Sequence, residues 1–227
     1  LIHVFDDFES AKKTYQKLSQ TYSAIEPPTW ALLLANAGRK KNYDPIILDY
    51  EADYKPDEEA ADEIESYKPR LVVFVLYGQN PNSGTTMMIG ASTLAKQIKL
   101  SHPNLKIAFI GSHASALPNE VASQDYCDFA FINEGVIGLL DLLRTDLENK
   151  LDKVPGMWYK HRGLARPSER GEIVKTEYMD QIMPGYAWDL IDLKKYRAHF
   201  WHSNFSHENR TPFAALYTSL GCSFGCN

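Results

Sequence analysis

Leu71-Val72-Val73-Phe74-Val75-Leu76 is apolar at every position, and the turn-rich run Tyr77-Gly78-Gln79-Asn80-Pro81-Asn82-Ser83-Gly84 follows it directly. An unbroken apolar run of six, closed by glycine and proline, reads as a parallel strand covered on both sides. A helix then starts near Thr85 and runs to about Leu100. Working outward, the same alternation recurs. Leu1–Phe5 and Pro45–Asp49 precede this strand, and Lys106–Ile110 and Asp128–Phe131 follow it. Helical patterns lie between them: 29–41 after Pro27-Pro28, a strongly acidic 57–67 read as a solvated face, and Val136 to about Leu147. Strands alternating with helices make a doubly wound parallel sheet, here of five strands in an α/β fold. Such sheets gather their ligand loops at the carboxyl edge.

The character changes after residue 150. Residues 155–160 and 172–176 read as a hairpin, with Gly163 and Gly171 in its loop. Residues 180–212 carry prolines, aromatics and histidines without clean periodicity and read as a linker. Residues 213–219 read as a new buried strand. The expected division is therefore 1–150, 151–212 and 213–227. Both ends read as cut, so the chain is expected to be a fragment of a longer protein.

Composition excludes several classes. The 227 residues are 44% hydrophobic and 23% charged, with net charge −5, which argues against a broad nucleic-acid surface. No apolar run approaches the roughly 18 residues needed to cross a bilayer, and no stretch of the sequence reads as a signal-peptide pattern. Three cysteines make no disulfide framework, and a reducing cytoplasm is the expected compartment.

Two groups of residues can carry chemistry. Cys222 and Cys226 stand three residues apart, flanked by Gly221 and Gly225. Thiolates at this spacing can share a metal centre, and glycine lets the backbone wrap it. By spacing alone, two unrelated buried cysteines fit as well. Cys127 sits in a core-strand context and reads as structural. The second group is the set of strand-end loops: Tyr77, Gly78, Asn80, Ser83, Gly84 and Thr85; then Gly111, Ser112, His113 and Leu117; then Asn133, Glu134 and Gly135. Small residues and backbone amides there can line a slot for a cofactor tail, although glycine and serine at strand ends also simply make turns. His113 is a lone histidine, and such residues are more often hydrogen-bonded turn residues than metal ligands. His199, His202 and His207 lack a supporting carboxylate pattern and read as part of a solvated linker.

The stretch Tyr217-Thr218-Ser219-Leu220-Gly221-Cys222-Ser223-Phe224-Gly225-Cys226-Asn227 resembles the start of a radical S-adenosylmethionine domain, whose motif is Cys, three residues, Cys, two residues, Cys. With a Rossmann-like domain, a hairpin and an aromatic linker upstream, the order of elements resembles the cobalamin-binding branch of that family. The matching pieces are the Pro27-Pro28 helix entry, Ser83-Gly84, Gly111-Ser112-His113 through Leu117-Pro118, and Asn133-Glu134-Gly135, where the family often has Gly-Glu-Gly. The resemblance implies a cobalamin shelf on the loops, a [4Fe–4S] cluster on Cys222 and Cys226, and a third cysteine two residues beyond Asn227. It implies S-adenosylmethionine as co-substrate, a flavodoxin or ferredoxin as electron donor, and methylation of an unactivated carbon of a small-molecule or natural-product substrate. A cobalamin carrier or sensor, a radical enzyme with a vestigial cobalamin domain, and less readily a methylthiotransferase are the other readings. Cobalamin mutases carry Asp-x-His-x-x-Gly after the first strand; here Phe5-Asp6-Asp7-Phe8-Glu9-Ser10 holds no histidine.

Overall fold

Residues 23–53, 55–77, 81–206 and 208–220 are described by the computed structural model, the side chains of 81–83 apart. The chain divides into two compact units. One spans Pro28–Leu190, and the other joins Leu1–Pro27 to Ile191–Asn227.

The larger unit holds one sheet in the order β1-β2-β3-β4-β5: Val72–Leu76, Ile107–Gly111, Phe129–Phe131, Met157–His161 and Leu164–Pro167. β1, β2 and β3 are parallel, in the register Val72↔Ile107 and Ala108↔Phe129. β4 and β5 then add antiparallel, with Phe129↔Tyr159 and Trp158↔Pro167. The sheet is therefore mixed rather than wholly parallel. Residues 45–49 form no strand; Pro45 offers no N–H to a ladder, and Leu48 packs against the core from outside the sheet. Leu1–Phe5 lies outside the described residues. β2 is buried at all five positions, whereas four of the five in β1 are half-buried. Among the described residues β2, with the shorter β3, is thus sealed on both faces.

Helices α1 to α6 are Thr29–Arg39, Asp57–Ser66, Pro81–Ser101, Ser112–Ala116, Pro118–Ser123 and Val136–Leu142. Pro28 occupies the N-cap of α1. α2 opens with Asp57, Glu58 and Glu59, acids placed where the helix dipole favours them. Its other face is not solvated: Ala60, Ala61 and Ile64 enter the core. α3 begins at Pro81, four residues before the expected start, since proline suits a first helical turn. The polar run after β2 is helical rather than open loop. α6 ends at Leu142, short of the expected Leu147.

The main core joins α2, α3 and α5 to one sheet face, through Ile64, Met88, Leu94, Ile98, Phe109, Val121 and Tyr126. Phe109 stacks on Phe74 at 5.0 Å and meets Tyr126 at 5.9 Å. Truncating so buried an aromatic costs about 3–5 kcal/mol. Residues 108 and 110 point to the opposite face. There the start of α6 packs, because a Cβ at Gly135 would stand 2.9 Å from the Ile110 side chain. Helices on both faces complete a Rossmann-like doubly wound arrangement.

The hairpin differs from its expected form. Its second strand is β5, not residues 172–176, and its turn is Arg162-Gly163 with φ of 53° and 80°. Two consecutive positive φ values are what a tight two-residue turn requires. Glu172–Thr176 alternates as well as a strand does but makes no ladder; Val174 alone of that stretch is buried.

In the smaller unit, Ile25 bridges Arg197 antiparallel. Arg210 is 4% exposed, donates from Nε to the Ala198 carbonyl at 2.8 Å, and lies 4.1 Å over the Phe200 ring. Residues 213–219 form no strand, and Leu216 is 63% exposed. A strand needs a neighbour for its backbone groups, and no β-ladder forms along this segment among the described residues. No helix among the described residues is long and apolar enough to cross a membrane.

Candidate functional site

The parallel strands β1, β2 and β3 release their loops at one edge, so residues 77, 84–85, 111–115 and 133–135 converge there. Three cross-loop contacts build the edge. The first joins β1 to β3: the Tyr77 hydroxyl donates to the Asn133 carbonyl at 2.7 Å. The Tyr77 ring stacks on Trp30 of α1, with centroids 4.4 Å apart and planes 23° from parallel. Burial, with Glu134 nearby, pushes the Tyr77 phenol above its ordinary range, so it remains an O–H donor. Asn133 takes a left-handed φ of 55°, and its N–H donates to Ser115 Oγ at 2.8 Å.

The second contact is a close backbone approach. A Cβ on Gly84 would fall 2.1 Å from Ser112 Oγ and 2.9 Å from the Leu76 carbonyl oxygen. A Cβ on Gly111 would fall 2.3 Å from that same oxygen. Only glycine lets the start of α3 and the end of β2 close on β1 here. The third contact pairs Thr85 Oγ1 with His113 Nδ1 at 3.1 Å.

Seven of the expected residues therefore fall into the three contacts: Tyr77 with Asn133, Gly84 with Gly111 and Ser112, and Thr85 with His113. Glu134 sits beside Tyr77, and Gly135, at φ 70°, caps α6 over Ile110. Leu117 stands apart, 46% exposed at the far end of α4. Gly78 and Asn80 lie outside the described residues, as do Cys222 and Cys226, and the Ser83 side chain is likewise not described. Trp30 and Ser115 were missed. Trp30 is read from sequence as one more residue of an apolar helical stripe, and Ser115 as part of a polar turn.

The donor set is hydroxyls, an imidazole, a carboxamide and backbone groups, with Glu134 the one formally charged side chain. That chemistry suits a large neutral ligand rich in amides. Cobalamin, a macrocycle fringed with amides, fits that donor set. An open depression of about 560 Å³ adjoins Asn133, lined also by Arg170, Gly171, Glu172, Ile173 and Lys175.

Elsewhere, Cys127 is buried and its thiol donates to the Phe129 carbonyl at 3.3 Å. Burial pushes its pKa up to about 12, which makes it an inert core residue. In the smaller unit His199 stacks on Trp201 at 4.1 Å and places Nε2 3.6 Å from Glu26. The sequence spacing gave no hint of that carboxylate, and no group of three potential metal ligands forms among the described residues. His207 lies outside them.

An open α/β sheet with converging, small-residue loops at its carboxyl edge is the architecture of a cofactor-binding domain. The B12 binding domain family matches residues 16–143, more than half of the chain, and the chain belongs to that family. No curated protein gives a significant match.

Proposed function

We propose that this chain holds cobalamin against the carboxyl edge of β1, β2 and β3 and serves as the front of a radical S-adenosylmethionine enzyme, a methyltransferase acting on an unactivated carbon. The observation that carries the first half is the family match over the unit that builds the edge. The second half is supported by the Gly221-Cys222-Ser223-Phe224-Gly225-Cys226 pattern.

In this reading Gly84, Gly111 and Ser112 hold the ends of β1 and β2 together beneath the cofactor, while Thr85, Ser115 and Asn133 offer hydrogen bonds to its amides. Trp30 and Tyr77 form an apolar wall that keeps water from one side. Bound cobalamin supplies a transferable methyl group, and a [4Fe–4S] cluster with S-adenosylmethionine supplies the one-electron chemistry that opens a C–H bond. Cys222 and Cys226 would supply thiolates to hold that cluster. Residues 1–150 are the cobalamin-binding part, 151–212 the connection and 213–227 the start of the radical domain. A small reducing protein, flavodoxin or ferredoxin, delivers the electron, and the substrate is a small molecule or natural product.

The test is anaerobic purification of the parent protein after reconstitution with cobalamin, iron and sulfide. Corrin and iron–sulfur absorbance should both co-elute with it, and Cys222→Ala with Cys226→Ala should remove only the second. Corrin without a cluster in the native protein makes it a carrier or sensor. A protein colourless in both respects overturns the proposal.

A further inference from the structure

We propose that the open depression beside Asn133 binds a small molecule bearing an oxyanion, a carboxylate or phosphate, which Arg170 and Lys175 hold. That this molecule is the substrate rests on the cobalamin reading above, because the depression adjoins the edge given to the cofactor. It measures about 560 Å³ and is lined by Asn133, Arg170, Gly171, Glu172, Ile173 and Lys175. Small-molecule sites span roughly 300–1,000 Å³, so the space suits a whole ligand.

The backbone of this wall is pinned at both ends. The Glu169 carbonyl accepts from the Gly156 N–H at 2.8 Å, and the Glu169 N–H donates to the Asp152 carbonyl at 3.0 Å. A Cβ on Gly171 would fall 2.5 Å from the Gly156 Cα, so the chain there lies directly on the residue before β4. Val174 is buried and anchors the other end. Beside these anchors Arg170, Glu172, Ile173 and Lys175 are exposed. A backbone already fixed in this way has little order left to lose when a ligand arrives.

Charge decides the class of ligand. Neighbouring cations are engaged: Lys153 pairs with Glu169 at 2.9 Å, Lys160 donates to the Gln124 carbonyl at 2.6 Å, and Arg166 donates to the Tyr159 hydroxyl at 3.0 Å. Arg170 and Lys175 make no hydrogen bond or ion pair among the described residues. In a chain of net charge −5, two open cations on one depression call for an anion. Glu172 stands on the same wall, so two positive charges and one negative leave a single net positive charge. That balance suits a ligand with one anionic group. A guanidinium grips a carboxylate or phosphate through two parallel hydrogen bonds, and an ammonium adds a point charge. Asn133 commits its backbone N–H to Ser115 and its carbonyl to Tyr77, which leaves its carboxamide at the border between cofactor edge and depression. Ile173, 62% exposed, offers an apolar contact to the ligand's body.

Calorimetric titration of the whole chain with phenyl phosphate tests this, with benzyl alcohol as the uncharged comparison. Phenyl phosphate should bind and benzyl alcohol should not. Arg170→Gln and Lys175→Gln should each weaken phenyl phosphate roughly 10-fold. Both side chains are exposed, so the variants should fold as the wild type does. Lys41→Gln, exposed just beyond α1, should leave binding unchanged. Wild type that ignores phenyl phosphate, equal binding of benzyl alcohol, or affinity unmoved by both variants overturns the proposal. The same titration is then run on protein loaded with cobalamin and on protein loaded with cobinamide, which lacks the nucleotide and its phosphodiester. Binding retained in both supports a substrate site. Binding lost with cobalamin but kept with cobinamide gives the two cations to the cofactor's own phosphate and overturns the substrate assignment. Failure of the cobalamin reading shows separately, as a chain that retains no corrin, and the titration of the unloaded chain still decides the oxyanion site.

Discussion

Glycines crowd two places in the larger unit, and they serve opposite ends. At the carboxyl edge, Gly84 and Gly111 bring backbone against the Leu76 carbonyl and the Ser112 hydroxyl. At the joint between β3 and β4, Gly138 admits the Phe131 ring and the Pro155 carbonyl, and Gly171 rests on the Cα of Gly156. Only about 10 Å³ of space remains in that joint. One set of glycines shapes an edge that can receive a ligand; the other seals a seam. Sequence shows only that both lie at strand ends.

The largest expected effect is at the edge. Gly111→Ala places a Cβ where the Leu76 carbonyl already is, so stability should fall by roughly 1–3 kcal/mol and cobalamin retention should be lost. Chemical denaturation and corrin absorbance after gel filtration report the two separately. Gly138→Ala should cost a similar roughly 1–3 kcal/mol, because a carbonyl and an aromatic ring must both give way. Its folded fraction should nonetheless retain cobalamin. Equal loss of corrin in the two variants at matched stability would break the comparison.

Tyr77→Phe should be milder, about 1 kcal/mol, since it removes one donor and leaves the Asn133 carbonyl unanswered while the stack on Trp30 persists. The smallest effect concerns Cys127. Held as a thiol by a pKa near 12, it should resist alkylation at mildly alkaline pH in the native protein. It should react once Gly138→Ala increases opening around β3, which mass spectrometry of alkylated peptides can follow.

Much of this was readable beforehand, and for physical reasons. β1 and β2 are unbroken apolar runs, and α1 and α3 carry apolar residues at helical spacing, so one-dimensional pattern suffices. The edge residues followed, because parallel strands must end together. The hairpin was half legible. Arg162-Gly163 is a poorer turn signal than a glycine-rich stretch, and β5 contains Pro167, which demotes a strand on sequence grounds. Glu172–Thr176 alternates more cleanly and drew the assignment wrongly. The run 213–219 misled for another reason: apolar residues record a tendency to be buried, and pairing depends on a partner that local sequence does not contain. Trp30 and Ser115 act through contacts 47 and 18 residues away along the chain, beyond any local window.

Among the described residues, β5 is also where this sheet stops. Pro167 lacks an N–H, and Arg166, its guanidinium 5.4 Å over the Tyr159 ring, lays a cation along the last rung. A border without a full row of donors is a poor template for recruiting another molecule's strand. The same hairpin that lengthens the sheet thus protects it from sticking to its own kind, and a tag or fusion partner grafted at Arg162-Gly163 would meet a margin already closed to growth.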